Sequence, residues 1–216
     1  MNTQAQVPVL SAADLVALIN RYRAIIFDMD GTLVDSGQLH EEAWINTLAR
    51  FSIPLDRAQM RAWSGISTGQ TVTMLLEQHQ MLGRFSVAEI SAFKEAWVKA
   101  NIHGYVQPTS LAQVARQYSG LMPMSVGTGS SEAEAVPILQ HCGLYGCVDF
   151  VVGADRVSAP KPDPETFLLC ASGMQVAPQH CLVFEDSPMG IAAAQTAGMG
   201  VVDVTAQLLI ENDYFR

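Results

Sequence analysis

Charge is scarce in this sequence of 216 residues: Asp, Glu, Lys and Arg make up 15% of it, against 49% hydrophobic residues. A chain so rich in apolar side chains can bury enough surface to fold, which excludes intrinsic disorder. Basic residues are scarcer still, 12 against 21 acidic ones, for a formal net charge of −9. That deficit argues against nucleic acid and anionic membranes as partners. It leaves room for a small anionic ligand at a locally positive site. Cysteine is limited to Cys142, Cys147, Cys170 and Cys181, with no CxxC spacing, so buried free thiols in a reducing cytosol are expected. No apolar run is long enough to span a membrane. The first residues lack the basic start and apolar block of a secretory signal, and a cytoplasmic protein is expected. The length suits one core, or a core with a modest inserted domain. No internal repeat is visible.

What the sequence does have is a stretch around which the rest is organised. Ala24-Ile25-Ile26-Phe27 runs straight into Asp28-Met29-Asp30-Gly31-Thr32-Leu33. A short unbroken apolar run reads as a strand buried on both faces of a parallel sheet. Asp28 and Asp30 then sit at its C-terminal end, where open α/β sheets place their ligands. Carboxylates two residues apart share a side if extended geometry persists, and a cation between them would relieve their repulsion. Read alone, the same residues also fit an Asp-rich turn with a helix cap.

Along the chain, residues 1–10 read as a loose start. Ser11 and Asp14 open a short helix through Tyr22. From Gln38 to about Val106 the pattern is helical throughout, with breaks at Pro54 and Gly83 and no strand-like alternation. A helix over 110–118 follows. Strand and helix then alternate: strands at 122–126, 150–152, 181–184 and 201–204, and helices at 132–142, 164–172 and 190–197. Pro137 is expected to kink its helix. Such alternation predicts an α/β fold with a doubly wound parallel sheet. The tail from Thr205 to Arg216 carries no readable chemistry.

Other strand-end segments carry chemistry. Ser125-Val126-Gly127-Thr128-Gly129-Ser130-Ser131 offers hydroxyls and backbone N–H groups at a helix start, an anion site or simply a Ser/Thr cap on a Gly-rich turn. Ala159-Pro160-Lys161-Pro162-Asp163-Pro164-Glu165 fixes a lysine in a stiff loop. Val183-Phe184-Glu185-Asp186-Ser187-Pro188-Met189-Gly190 repeats the pattern of apolar strand, acids and turn. Acid pairs at two strand tips suit a hard cation such as Mg²⁺.

Phe27-Asp28-Met29-Asp30-Gly31-Thr32-Leu33-Val34-Asp35-Ser36, followed in order by Thr128, Lys161 and Glu185-Asp186, resembles the haloacid dehalogenase superfamily. Within it the likeness is to the branch holding β-phosphoglucomutase and the small phosphosugar phosphatases. The motifs span residues 24–204. The resemblance implies a Rossmann-like catalytic core from 1–36 and 107–216, with 1–23 as an N-terminal extension, and an α-helical cap inserted at 37–106. It implies Asp28 as nucleophile, forming an aspartyl-phosphate, and Asp30 as general acid/base. Thr128 would bind phosphate with help from Gly129 and Ser130, and Lys161 would balance the phosphoryl charge. Mg²⁺ would be held by Asp28, the backbone carbonyl of Asp30 and Asp186, with Glu185 a ligand or a supporting group.

In the helical insert, Gly65-Ile66-Ser67-Thr68 resembles the family's specificity loop, with Gly65 and Ser67 as expected substrate contacts. β-Phosphoglucomutase has Gly-Val-Ser-Arg there, the arginine gripping a second phosphate. Thr68 carries no such charge, which argues for plain hydrolysis. His40 matches a histidine near the hinge that contacts substrate or the acid/base, although a helix-surface histidine fits equally. Lys94 and Lys99 suit either cap charge or a solvated helix face, and Trp44, Trp63 and Trp97 suit cap core. The expected function is a Mg²⁺-dependent phosphatase acting on a small phosphorylated metabolite such as fructose 1-phosphate or 6-phosphogluconate, as a monomer. The alternatives are β-phosphoglucomutase and a non-catalytic sugar-phosphate-binding protein.

Overall fold

The computed structural model describes residues 8–215. Of the loose start expected over residues 1–10, residues 1–7 lie outside the described residues. Helix α1 (Ala12–Ile19) opens on a capping box, in which Ser11 Oγ accepts from Asp14 N–H and the Asp14 carboxylate accepts from Ser11 N–H. Then come β1 (Ala24–Phe27), β2 (Val34–Asp35), the helices α2 (Gly37–Arg50), α3 (Arg57–Ala62), α4 (Thr68–Gln78) and α5 (Val87–Tyr105), and β3 (Gln107–Pro108). The remainder alternates: α6 (Ala112–Tyr118), β4 (Met124–Gly127), α7 (Glu132–His141), β5 (Phe150–Val152), α8 (Glu165–Gly173), β6 (Cys181–Glu185), α9 (Pro188–Thr196), β7 (Gly200–Asp203) and α10 (Val204–Gln207).

Among the described residues these strands build a five-stranded parallel sheet in the order β5-β4-β1-β6-β7. The chain winds outward from β1 through β4 to β5, then crosses back to β6 and β7. Its direction of winding reverses around β1, and such a reversal opens a crevice at the strand tips. Alternation along β1 explains why its apolar run is unbroken. Ile25 and Phe27 belong to one buried cluster with Ala112, Ala115, Ile138 and Leu139, while Ala24 and Ile26 belong to another with Phe167, Cys170, Ala193 and Ala194. Each face of the strand is therefore covered by its own helices, α6 and α7 on one side, α8 and α9 on the other.

The helices α2–α5 have an apolar cluster of their own, including Trp44, Leu48, Met60, Leu75 and Ile90. They leave and rejoin the sheet through β2 and β3, which pair antiparallel, Val34 opposite Pro108 and Asp35 opposite Gln107. The C-terminal part of α5 rejoins the main core through Val98 and Ile102. α7 runs through Pro137 without interruption. α10 takes Val204, expected to end the last strand, and the first residues of the tail in which no chemistry is legible. The cysteines are free, and burial pushes the thiols of Cys142 and Cys181 up to about 11 and that of Cys170 to about 12. No helix among the described residues is long and apolar enough to cross a membrane.

Candidate active site

The sheet ladder continues one residue past β1: Asp28 N–H donates to the Phe184 carbonyl at 2.9 Å. That bond fixes Asp28 beside the tip of β6. The residue is 6% exposed, and Oδ1 accepts from Lys161 Nζ at 2.6 Å. The same ammonium donates to Glu185 Oε2 at 2.8 Å and lies 4.7 Å from the Phe167 ring centroid. Lys161 is 2% exposed. Burial alone would favour its neutral form, but Asp28 and Glu185 outweigh that and hold it protonated.

Glu185 uses its other oxygen to start α9. Oε1 accepts from the N–H groups of Asp186 at 3.1 Å and Ser187 at 2.9 Å, and from the Ser187 hydroxyl at 2.9 Å. A Cβ on Gly190 would overlap this carboxylate, so glycine is required there. Asp186 accepts from the Thr32 hydroxyl at 3.2 Å on one oxygen and from the Asn212 amide at 2.7 Å on the other. Asp28, Glu185 and Asp186 each place an oxygen within 4.8 Å of the others. Burial, then repulsion from Glu185, pushes Asp28 well above the usual carboxylate range against the pull of Lys161. The same two causes lift Asp186 to about 7. These acids carry more negative charge than Lys161 offsets, and their donors are all oxygen. Both features fit a hard divalent cation.

Asp30, two residues on, faces a different environment. Its Oδ1 accepts from the Ser36 hydroxyl at 2.6 Å and lies 2.9 Å from His40 Nε2. Its Oδ2 accepts from Ser130 Oγ at 3.0 Å and Thr128 Oγ1 at 3.4 Å. Burial alone would raise its pKa, but His40 and these hydroxyls outweigh it and hold the carboxyl well below its ordinary range. His40 is 8% exposed, so it is no helix-surface residue.

Above these groups a cavity separates the sheet tips from the helical layer. Its far wall includes His40, Trp44, Trp63, Gly65 and Lys94. The two layers meet closely, since a Cβ on Gly129 would come 3.0 Å from the Gly65 carbonyl oxygen.

The model of the haloacid dehalogenase-like hydrolases matches residues 22–198. The chain belongs to that family. Among curated relatives it is 40% identical to the fructose-1-phosphate phosphatase YqaB of Escherichia coli (strain K12) over 187 residues, 87% of this chain and 98% of that protein. It is 28% identical over 191 residues to the β-phosphoglucomutase of Bacillus subtilis (strain 168), covering 84% of this chain and 83% of that one. Among solved structures, the β-phosphoglucomutase of Clostridium difficile superposes with a TM-score of 0.75 at 25% identity, covering 90% of this chain and 92% of the other. The chain is thus a haloacid dehalogenase-type phosphatase, in a branch shared with β-phosphoglucomutase.

Within this hydrolase the structure brings Asp28, Asp30, Thr128, Ser130, Lys161, Glu185, Asp186, His40, Gly65 and Gly129 to one place. It treats others differently. Ser67 caps α4, accepting from Gln70 N–H at 3.4 Å, and is absent from the cavity wall. Thr128 N–H donates to the Val152 carbonyl and Ser130 N–H to Thr128 Oγ1, so these amides are already engaged. Lys94 is no solvated residue: it is 2% exposed, donating to Glu134 Oε1 at 3.0 Å and to Thr68 Oγ1 at 3.2 Å. Lys99 is exposed. Trp44 belongs to the helical cluster as expected but also lines the cavity with Trp63, whereas Trp97 packs against Tyr105. Asn212 and Tyr214 line the same cavity, and no signal in their composition marked them.

Proposed function

We propose that this phosphatase hydrolyses a small sugar phosphate, with fructose 1-phosphate the first candidate, through an aspartyl-phosphate on Asp28 and with Mg²⁺ as cofactor. The observation that carries this reading is the division between two carboxylates on one strand tip. Asp28 is bound to a buried lysine among other acids, and Asp30 is wrapped in hydroxyls and an imidazole. Environments that push two neighbouring carboxyls apart assign them different roles. Asp28 and Asp186 would hold the metal with the Asp30 carbonyl. Glu185, which accepts from the Lys161 ammonium on one oxygen and from three donors on the other where Asp186 takes one neutral donor on each, would orient Lys161 and the start of α9 rather than bind directly. When bound, Mg²⁺ supplies charge that keeps Asp28 ionised and shields it from the incoming phosphate.

In this mechanism Asp28 attacks phosphorus and the ester oxygen leaves with a proton from Asp30. Asp30 then takes a proton from water, which attacks the phosphoryl group and regenerates Asp28. The resting contacts hold Asp30 as the carboxylate, the form needed for the second step. For the first, the arriving phosphate draws Thr128 and Ser130 onto itself. Asp30 then loses two donors, its acidity falls, and it takes up from solvent the proton that it passes to the leaving oxygen. The helices between residues 37 and 106 serve as a cap that excludes water from the reacting centre. Thr68 adds no charge to its inner face, and Lys94 is neutralised by Glu134. A cavity wall whose one cap cation is already paired suits release of phosphate better than capture of a bisphosphate.

The test is phosphate release from a panel of sugar phosphates with and without Mg²⁺, with β-glucose 1-phosphate also followed for glucose 6-phosphate. Mg²⁺-dependent release, fastest for a ketose 1-phosphate, is the expected outcome. Isomerisation without release would replace this reading with the mutase.

A further inference from the structure

The segment after α10 crosses from the sheet layer to the helical layer in five residues. Ile210 belongs to the main core cluster, and its N–H donates to the Val204 carbonyl. Phe215 is 3% exposed and belongs to the cluster formed by α2–α5. Its N–H donates to Glu41 Oε2 of α2 at 2.8 Å, and Arg57 of α3, itself paired with Glu41, lies over its ring. Between these anchors Asn212 donates from Nδ2 to Asp186 and accepts on Oδ1 from Tyr214 N–H at 2.9 Å. The side chain is thereby fixed at both ends.

Two glycines make this crossing possible. A Cβ on Gly31 would overlap the Asn212 amide, and one on Gly37 would come 2.8 Å from both Asn212 Oδ1 and Tyr214 N. Gly31 turns with φ +80°, which glycine favours in any case. Gly37 does not. It is the first residue of α2, without positive φ, where alanine would form helix better. The close passage of the tail is what requires glycine at 37.

We infer that residues 211–215 are a strap that completes the active site: Asn212 is a positioning residue for the Asp186 carboxylate, held in place by the Phe215 anchor in the helical layer. The inference rests on the phosphatase reading above and adds to it a group outside the family's strand-tip motifs. An amide bound to one oxygen of a ligating carboxylate fixes which oxygen faces the metal and at what angle. Loss of such a partner typically weakens metal binding about 10–100-fold. The strap also couples metal binding to the position of the helical layer, because Asn212 and Phe215 are three residues apart on one segment anchored at both.

The experiment uses the full-length protein. Mg²⁺ affinity is measured by isothermal titration without substrate, and kcat and KM for fructose 1-phosphate at saturating Mg²⁺. Asn212→Ala is expected to weaken Mg²⁺ binding at least tenfold, and Asn212→Gln to recover part of it. Gly37→Ala leaves Asn212 in the sequence but pushes the strap aside, and should reproduce the loss. Phe215→Ala should weaken Mg²⁺ binding as well, although its ring packs among α2–α5 and not on the metal acids. Unchanged Mg²⁺ affinity in both Asn212→Ala and Gly37→Ala, with wild-type protein binding Mg²⁺ and releasing phosphate, overturns the strap and leaves the phosphatase reading standing. Wild-type protein that neither binds Mg²⁺ nor hydrolyses any ester overturns both.

Discussion

Replacing Lys94 by methionine should cost this enzyme a large share of its stability. Lys94 on α5 and Glu134 on α7 form an ion pair at 3.0 Å, with side chains 3% and 1% exposed. Glu134 Oε2 has no hydrogen-bond partner among the described residues, so Lys94 is what compensates the charge. At that separation and an effective dielectric near 20 the attraction is about 5 kcal/mol. Position in the first turn of α7 offsets only about 0.3–1 kcal/mol through the helix dipole. Lys94→Met therefore leaves a buried, uncompensated carboxylate, for which about 3–5 kcal/mol is expected. For a chain of this size that is a fall in Tm of about 6–20 °C. Thermal unfolding reads it directly. The double variant Lys94→Met/Glu134→Leu removes both charges and should regain most of the loss, because an apolar pair of similar volume is often neutral in such places. A loss under about 1 kcal/mol in Lys94→Met, or a double variant no better than the single, would refute the reasoning.

Further expectations follow from the strand tips. Asp28→Asn, nearly isosteric, should abolish phosphate release with the circular dichroism spectrum unchanged; a near-normal rate would remove Asp28 as nucleophile. His40→Ala takes away the strongest partner opposing burial at Asp30, so Asp30 becomes a weaker acid. The alkaline limb of the kcat/KM profile, set by the proton that Asp30 must carry for the first step, should move to higher pH, and an unmoved limb would place His40 outside the proton path. Metal should stabilise the fold. Asp186 is raised to about 7 in the metal-free chain, so its protonated form favours folding below the ordinary Asp range, and that contribution fades as pH rises toward 7. Chelated protein should therefore lose stability over that window, and Mg²⁺ at about 100 times its Kd should add about 2.7 kcal/mol. A melting curve indifferent to Mg²⁺ would disconnect the acid cluster from the metal.

The parts of this site that were legible in the sequence are those where local pattern and position in the fold coincide. Ile25-Ile26-Phe27 reads as a doubly buried strand because parallel sheets bury both faces, and an acid directly after such a strand has few other places to go. Thr128, Lys161 and Asp186 follow the same logic. Position on the fold, however, does not say what a side chain touches. Lys94 looks like any helix lysine until Glu134, 40 residues on, is found facing it. Ser67 has the composition of a binding loop and the position of a helix cap, and the cap prevails. Asn212 was invisible because nothing about a short polar tail indicates where it returns; only the room left by Gly37 hinted at a close approach, and a lone glycine at a helix start has commoner explanations.

The pairing of β2 with β3 has a consequence for how such a molecule diversifies. The chain departs at Asp35 and returns at Gln107, directly opposite one another. To the sheet, everything between is equivalent to one surface loop with its ends already closed, whatever its length. Residues there that do not bond or pack onto the core, unlike His40 on Asp30, Lys94 on Glu134 or Val98 and Ile102, can be exchanged or reshaped without moving Asp28, Thr128, Lys161 or Asp186. The repertoire of molecules admitted can therefore drift while the reaction stays fixed. A tail that bonds to Asp186 at one end and packs among those exchangeable helices at the other is a point at which that independence stops.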